Sequence, residues 1–213
     1  MLVYSAFNID VFREIPSNLN TLLDVGCGSG QMGLALKKLN TQTFITGVTY
    51  SADEKLVAEQ YLDSVLICDL NNSLPNFDRK FDCIVFSHIL EHTYNPSQVL
   101  YHFKQFLSQG GKIIIALPNI LYYKQRIEFI KGNFIYSKNG GLMDITHFRF
   151  FDWQTAQQLV LDAGLNLNSI KATGNFPLGF FRKLFPQLAT KIDNLCLRRF
   201  PGLFGFQFLL VAS

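Results

Sequence analysis

The sequence predicts an α/β fold, a doubly wound and mostly parallel sheet. Three observations carry this. Strand-like and helical runs alternate along the chain. An apolar run at residues 21–25 feeds directly into a turn with glycines at 26, 28 and 30. The 213 residues, 48% hydrophobic and 14% aromatic, suffice for one domain, 1–213, with a sizeable core. In chain order, a helical pattern at 8–15 precedes the first strand at 21–25. Met32, Ala35, Leu36 and Leu39 then recur at helical spacing within 30–40. A strand at 43–49 leads to a helix at 52–62, and strands follow at 65–68 and 81–87. Pro96 opens a helix over 96–107, and a strand at 112–117 is followed by helical patterns at 119–131 and 152–163. A strand at 165–172, a helix at 186–199 and a last strand at 206–212 complete the order. Right-handed crossovers in such a sheet place a ligand beyond the carboxyl ends of the strands, where the strand order reverses.

The glycine turn suits two classes of cofactor. Gly28-x-Gly30-x-x-Gly33 matches the dinucleotide fingerprint by letter. That fingerprint requires a strand ending at its first glycine and an acid about 20 residues on. Here the strand runs into Gly26, and the next one ends in Thr49-Tyr50 with no acid. Asp24, just before the glycines, would repel a pyrophosphate and attract a cation. S-adenosylmethionine carries a sulfonium and an ammonium and no phosphate, so it fits the acid. Glycine in the turn lets the backbone approach such a ligand, because no Cβ intervenes.

Composition bounds the remainder. A net charge of +3 implies no large nucleic-acid footprint. Cys27, Cys68, Cys83 and Cys196 show no paired spacing, so reduced thiols and a cytoplasmic location are expected. Asp10, Arg13 and Glu14 interrupt any signal-peptide-like apolar stretch, and no apolar run has the length of a membrane span.

The chain resembles class I S-adenosylmethionine-dependent methyltransferases. Thr21–Gly30 looks like their first motif. Phe81–His92 resembles the fourth strand with its L-E-H ending, and Leu107–Asn119 the L-x-x-G-G turn and fifth strand. Asp144–Phe151 resembles the D-x-T-H-x-R-F-F block of a narrower group. That group is associated with bacterial cell-surface polysaccharide biosynthesis and includes methionine-biosynthesis-type relatives. The resemblance implies a Rossmann-like sheet of seven strands with the last antiparallel, and a helical cap made by the long connections 120–150 and 174–205. It implies S-adenosylmethionine as cofactor, contacted by Asp24, Gly26, Cys27, Gly28, Gly30, Thr49, Tyr50, Asp69, Leu70, Ser87 and His88. Thr49 stands where the family has an acid for the ribose hydroxyls, so Tyr50, Asp53 or Glu54 would have to compensate. Asp69 has an alternative as a turn or cap residue.

Methyl transfer to a hydroxyl needs alignment and, near neutral pH, a general base. Histidine suits that role. His102 sits in a helical pattern and is assigned to packing. His88 follows the fourth strand and His92 ends the L-E-H element; each is a candidate catalytic group with a structural alternative. His147, flanked by Asp144, Thr146 and Arg149, is the leading base or acceptor-orienting group, its alternative being a strut for the connection. His88-x-x-Glu91-His92, with His147 as a fourth, also has the composition of a metal site. Ubiquinone-pathway and small-RNA methyltransferases resemble it with Glu-x-x-Glu-His; no metal is assigned here.

The expected activity is methylation of a small molecule, on an oxygen of a sugar or glycan precursor. The alternatives are a lipid, quinone or other metabolite as acceptor, or a catalytically silent partner protein. The connection 174–205 interleaves Phe176, Phe180, Phe181, Phe185, Phe200 and Phe204 with Arg182, Lys183, Lys191, Arg198 and Arg199. Pro186 starts its helix, and Leu188, Ile192 and Leu195 form an apolar face. It is read either as a cap whose phenylalanines complete the core, or as a flap making peripheral contact with a membrane or a lipid-linked acceptor.

Overall fold

A computed structural model describes residues 7–213; the N-terminal stretch behind the signal-peptide expectation lies partly outside the described residues. The elements are α1 (Ile9–Phe12), β1 (Thr21–Val25), α2 (Gln31–Leu39), β2 (Phe44–Thr49), α3 (Ala52–Ala58), β3 (Ser64–Ile67) and β4 (Phe81–Ser87). A 3₁₀ turn (Leu90–His92) follows, then α4 (Pro96–Lys104), β5 (Leu107–Pro118), α5 (Tyr123–Ile130), α6 (Trp153–Asp162) and β6 (Leu167–Gly174). The chain closes with α7 (Phe181–Leu184), α8 (Pro186–Arg199), α9 (Pro201–Phe204) and β7 (Gly205–Ala212).

The seven strands form one sheet in the order β3-β2-β1-β4-β5-β7-β6. β1 pairs in parallel with both β2 and β4, so the strand order reverses at β1. β7 is antiparallel to both of its neighbours, β5 and β6, as the resemblance implied. The side-chain period of two sorts the strands onto two buried faces. Leu23, Val25, Ile84, Phe86, Ile113 and Ile115 join one core cluster. Leu22, Ile45, Cys83, Val85, Ile114 and Ala116 join the other. Helices cover both faces, which is why the strands read as nearly continuous apolar runs.

Most differences from the sequence expectation lie at element ends. α1 is one turn long, since the chain breaks ahead of Pro16. β5 starts at Leu107, before the apolar run, because Leu107 pairs with Phe81 across a register shift. Helix α5 begins only at Tyr123: Asn119, ahead of it, bridges to Phe151 and donates its side-chain N–H to the carbonyls of Gly202 and Gly205. The region after α5 docks by its backbone: the N–H groups of Phe148 and Arg149 donate to the Glu91 carbonyl at 2.9 and 3.1 Å. That contact carries the histidine of the long connection to the end of β4.

Candidate active site

The ends of β1 and β4 meet at the point of strand reversal. Gly26, Gly28 and Gly30 have φ of 83°, 52° and 80°, a backbone region that disfavours other residues. A Cβ on Gly26 would lie 2.9 Å from Ile89 Cγ1, just past β4. The turn is pinned by Gly26 and Cys27 N–H groups donating to the Val48 carbonyl at 2.8 and 3.0 Å. A Gly26→Ala variant combines the left-handed strain with this clash, so a loss of roughly 2 kcal/mol or more is expected, read as a lower melting temperature.

Two buried polar groups lie at this turn, Asp24 and Ser29. The Asp24 carboxyl is 3% exposed, and burial pushes it up to about 7. The Ser29 hydroxyl has no hydrogen-bond partner. Buried polar groups are almost always satisfied, so such an orphan marks a place for a ligand. Cys27 beside them is an inert thiol, pushed up by burial and by the nearby Asp24 and Glu54 carboxylates. Cys27 and Cys83 are buried, Cys68 and Cys196 half-buried, and all four are unpaired.

At the end of β2, buried Thr49 donates its hydroxyl to the Glu54 carboxylate, and Glu54 is itself 6% exposed. An acid therefore reaches the β2 end from the first turn of α3, as the sequence allowed. Ser51 caps that helix, accepting from the Glu54 N–H at 3.4 Å. Tyr50 is 65% exposed. Asp69 uses both oxygens within its own turn, accepting from Asn71 N at 2.9 Å and Asn72 Nδ2 at 2.6 Å, which is the turn alternative. Half-buried Leu70 follows it in that turn.

Beyond Ser87, His88 has φ of 54° and is the single non-glycine residue with positive φ among the described residues. Such strain persists where neighbours over-determine it. His88 Nδ1 lies 3.2 Å from Glu91 Oε1, and Nε2 lies 2.7 Å from Gln207 Oε1. The Gln207 amide nitrogen donates to Asp10 Oδ2 at 3.2 Å and Thr173 Oγ1 at 2.8 Å, which fixes its oxygen toward His88. Both ring nitrogens thus face acceptors. Burial lowers the His88 pKa, but Glu91 and Gln207 outweigh it, and the net shift is upward.

Glu91, His92 and His147 form a second cluster, their ligating atoms all within 4.8 Å of one another. The two imidazoles meet edge to face at 4.7 Å between centroids. His92 Nδ1 faces the Thr146 carbonyl at 3.1 Å and the Thr146 hydroxyl at 3.0 Å; that hydroxyl donates to Asp144 Oδ1 at 2.7 Å and so accepts here. His147 Nδ1 faces the Leu142 carbonyl at 3.2 Å. In each ring it is Nδ1 that meets a backbone carbonyl, an arrangement that suits a proton on Nδ1 and a lone pair on Nε2 in the neutral form. Burial holds the His147 pKa below its ordinary value, with Glu91 opposing and His92 adding to the shift. Glu91 is 1% exposed, and its Oε2 has no hydrogen-bond partner.

The grouping corrects one sequence-based idea. His88 does not join a metal set with Glu91 and His92, because Gln207 holds its ring; the third member is His147. His102, as expected, is structural, with Nε2 2.8 Å from the Pro75 carbonyl. Gln207 was missed as a hub. Its signal was a polar residue within the apolar run 206–212.

A cleft of about 830 Å³ opens beside these residues, bordered by Asp10, Tyr122, Gln125, Glu128, Leu142 and Gln207. It touches His88 through Gln207 and His147 through Leu142. Phe206, 43% exposed, and half-buried Thr173 are also on its wall.

A family model described as a methyltransferase domain matches residues 6–170. The ubiquinone biosynthesis O-methyltransferase of Parvibaculum lavamentivorans is 25% identical over 185 residues, covering 81% of this chain and 69% of that protein. The mitochondrial ubiquinone biosynthesis O-methyltransferase of Candida albicans is 31% identical over 107 residues, 46% of this chain and 32% of that protein. This match, like that to the Rattus norvegicus counterpart, spans about a third of the relative's length (32% and 33%). Among solved structures, an S-adenosylmethionine-dependent methyltransferase from Mesorhizobium loti has a TM-score of 0.63 at 15% identity, covering 96% of this chain and 95% of its own. One from Archaeoglobus fulgidus has a TM-score of 0.58 at 20% identity, with coverages of 96% and 88%. At these identities the likeness is one of fold.

Proposed function

The chain belongs to the methyltransferase-domain family, with the class I S-adenosylmethionine-dependent fold, and on that footing we propose that it methylates an oxygen of a small-molecule acceptor, a sugar or glycan precursor. The observation that carries the cofactor half is the buried Asp24, with the unpartnered Ser29 hydroxyl, at a turn of three left-handed glycines. Asp24 suits a ligand with cationic groups, Ser29 offers a hydroxyl, and Glu54 with Thr49 offers oxygens at the β2 end. S-adenosylmethionine supplies a methyl group activated by its sulfonium, which leaves the protein to align the acceptor and take its proton.

An acceptor hydroxyl reaching in from the cleft would give its proton to His147, and the cofactor, when bound, would supply the methyl group and leave as adenosylhomocysteine. His147 is neutral at pH 7, as a base must be. Glu91 offsets the charge that it gains, and His88 anchors Glu91. The polar border of the cleft, Asp10, Gln125, Glu128 and Gln207, supports a polyhydroxylated acceptor; the resemblance of Asp144–Phe151 to the block of the polysaccharide-associated group points the same way. A quinone-precursor or lipid acceptor is the second reading, favoured by the similarity to ubiquinone biosynthesis O-methyltransferases.

The orphaned Glu91 Oε2 favours an alternative to the base role of His147, a divalent metal held by Glu91, His92 and His147. Imidazoles whose Nδ1 meets a backbone carbonyl are held in the orientation that suits ligation through Nε2. A metal there would polarise the acceptor oxygen.

Calorimetry tests the cofactor half. Adenosylhomocysteine should bind with a dissociation constant on the order of micromolar, and NAD should not bind. Binding of NAD alone would overturn the assignment. A thermal-shift panel of nucleotide sugars and catechol-type quinone precursors, with adenosylhomocysteine present, separates the two acceptor classes.

A further inference from the structure

We propose that the outer face of α8 docks the protein on an anionic lipid surface. The inference does not depend on the acceptor or on methyl transfer. The orientation of the helix carries it. Ala189 and Asp193 face inward and are buried, while Leu188 and Leu195 are 49% and 68% exposed. The apolar face expected of Leu188, Ile192 and Leu195 is therefore not a core face; only Ile192, half-buried, leans inward. At 3.6 residues per turn, Leu188, Lys191, Leu195, Arg198 and Arg199 share an arc of about 100°. All five are exposed. Immediately before the helix, Phe180, Leu184 and Phe185 are 71%, 57% and 52% exposed.

Charge is segregated in the same way. Residues 174–205 hold five lysines and arginines against one acid, a net +4, whereas the whole chain carries +3, so the remaining residues sum to −1. The one acid, Asp193, is turned inward, accepting from Phe176 N at 2.8 Å and from Arg182 Nη2 at 2.9 Å. The Arg182 pairing lowers the Asp193 pKa, so the acid stays ionised within the fold. The outward arc is left with cations and leucines only.

That combination fits a lipid surface better than the other partners. Two exposed leucines seven residues apart need an apolar phase, which a nucleic acid does not offer. Two copies of a cationic face pressed together would repel. At a bilayer, leucines enter the acyl boundary while lysine and arginine stems bend their charges back to the phosphates. No helix of the described residues is long and apolar enough to cross a membrane, so the contact is a surface one.

Flotation of the full chain with vesicles tests the proposal. Binding is expected to vesicles of phosphatidylcholine with about a third phosphatidylglycerol, to be absent from pure phosphatidylcholine, and to weaken with salt. Leu188→Ser with Leu195→Ser, and Lys191→Glu with Arg198→Glu, should each cut partitioning by roughly tenfold or more. These positions are exposed, so melting curves should stay as in the parent protein. No flotation at low salt overturns the proposal, as does equal binding to neutral vesicles or retention by both paired variants. Cation-dependent binding to a DNA oligonucleotide without vesicle binding assigns the face to nucleic acid instead, and a dimer abolished by the leucine changes assigns it to self-association.

Discussion

Asp24→Asn should make the unliganded protein more heat-stable at pH 8 while abolishing adenosylhomocysteine binding. The two effects have one cause. Burial raises the carboxyl from an ordinary 3.8 to about 7. A raised folded-state pKa means that native stability is fullest below the ordinary value and is lost as pH climbs through about 7. A shift of this size corresponds to a few kcal/mol, on the order of 4, at pH 8. Asparagine has no proton to lose, so the variant keeps that stability, and its melting temperature should rise by several degrees at pH 8 and hardly at all at pH 4. In the parent protein, affinity for the cofactor should climb with pH up to about 7 and then level off, because the ligand's cations need the ionised acid. A variant that binds adenosylhomocysteine normally would show that Asp24 is a buried core acid and nothing more.

His147→Ala should lower turnover by about 10²–10⁴-fold with little change in adenosylhomocysteine affinity. The parent rate should fall in acid as His147 Nε2 takes up a proton, with a midpoint below the ordinary histidine value, since the His147 pKa is lowered. Glu91→Gln separates two ways for His147 to work. As a base alone, His147 keeps much of its function beside the glutamine, and chelation by EDTA changes nothing. As a metal ligand with Glu91 and His92, it loses function in the Glu91→Gln variant as fully as in His147→Ala, and EDTA removes activity that added metal restores. Near-normal turnover of His147→Ala would move the base elsewhere.

Much of the frame was legible because its signals are local. The strand 21–25 with its glycine turn, and the helix begun by Pro186, are written in consecutive residues, and both occupy the positions that their side chains dictate. The acid at the end of β2 was half legible: Ser51-x-x-Glu54 has the spacing of a helix cap, but its burial against Thr49 depends on how α3 packs. The site's hub was not legible. His88 and Glu91 lie three residues apart and could be read together, but Gln207 reaches His88 from a distant part of the chain, and no periodicity encodes which polar side chain in β7 will face the end of β4. The outward turn of Leu188 and Leu195 was hidden for a similar reason. Asp193 draws its own side of α8 inward by pairing with Arg182, and a pattern of leucines alone reports only that a face exists.

The His88–Gln207 contact joins residues 119 positions apart, and Gln207 also binds Asn8. A ribosome makes the chain from one end, so His88 emerges long before the residue that will hold it. Until β7 threads between β5 and β6, the imidazole lacks the acceptor on Nε2, and only Glu91 on Nδ1 and the Ala116 carbonyl on its backbone N–H hold His88 in its left-handed conformation. Catalytic competence should therefore be acquired only once β7 has joined the sheet, after the parallel strands β1 to β5 have been made.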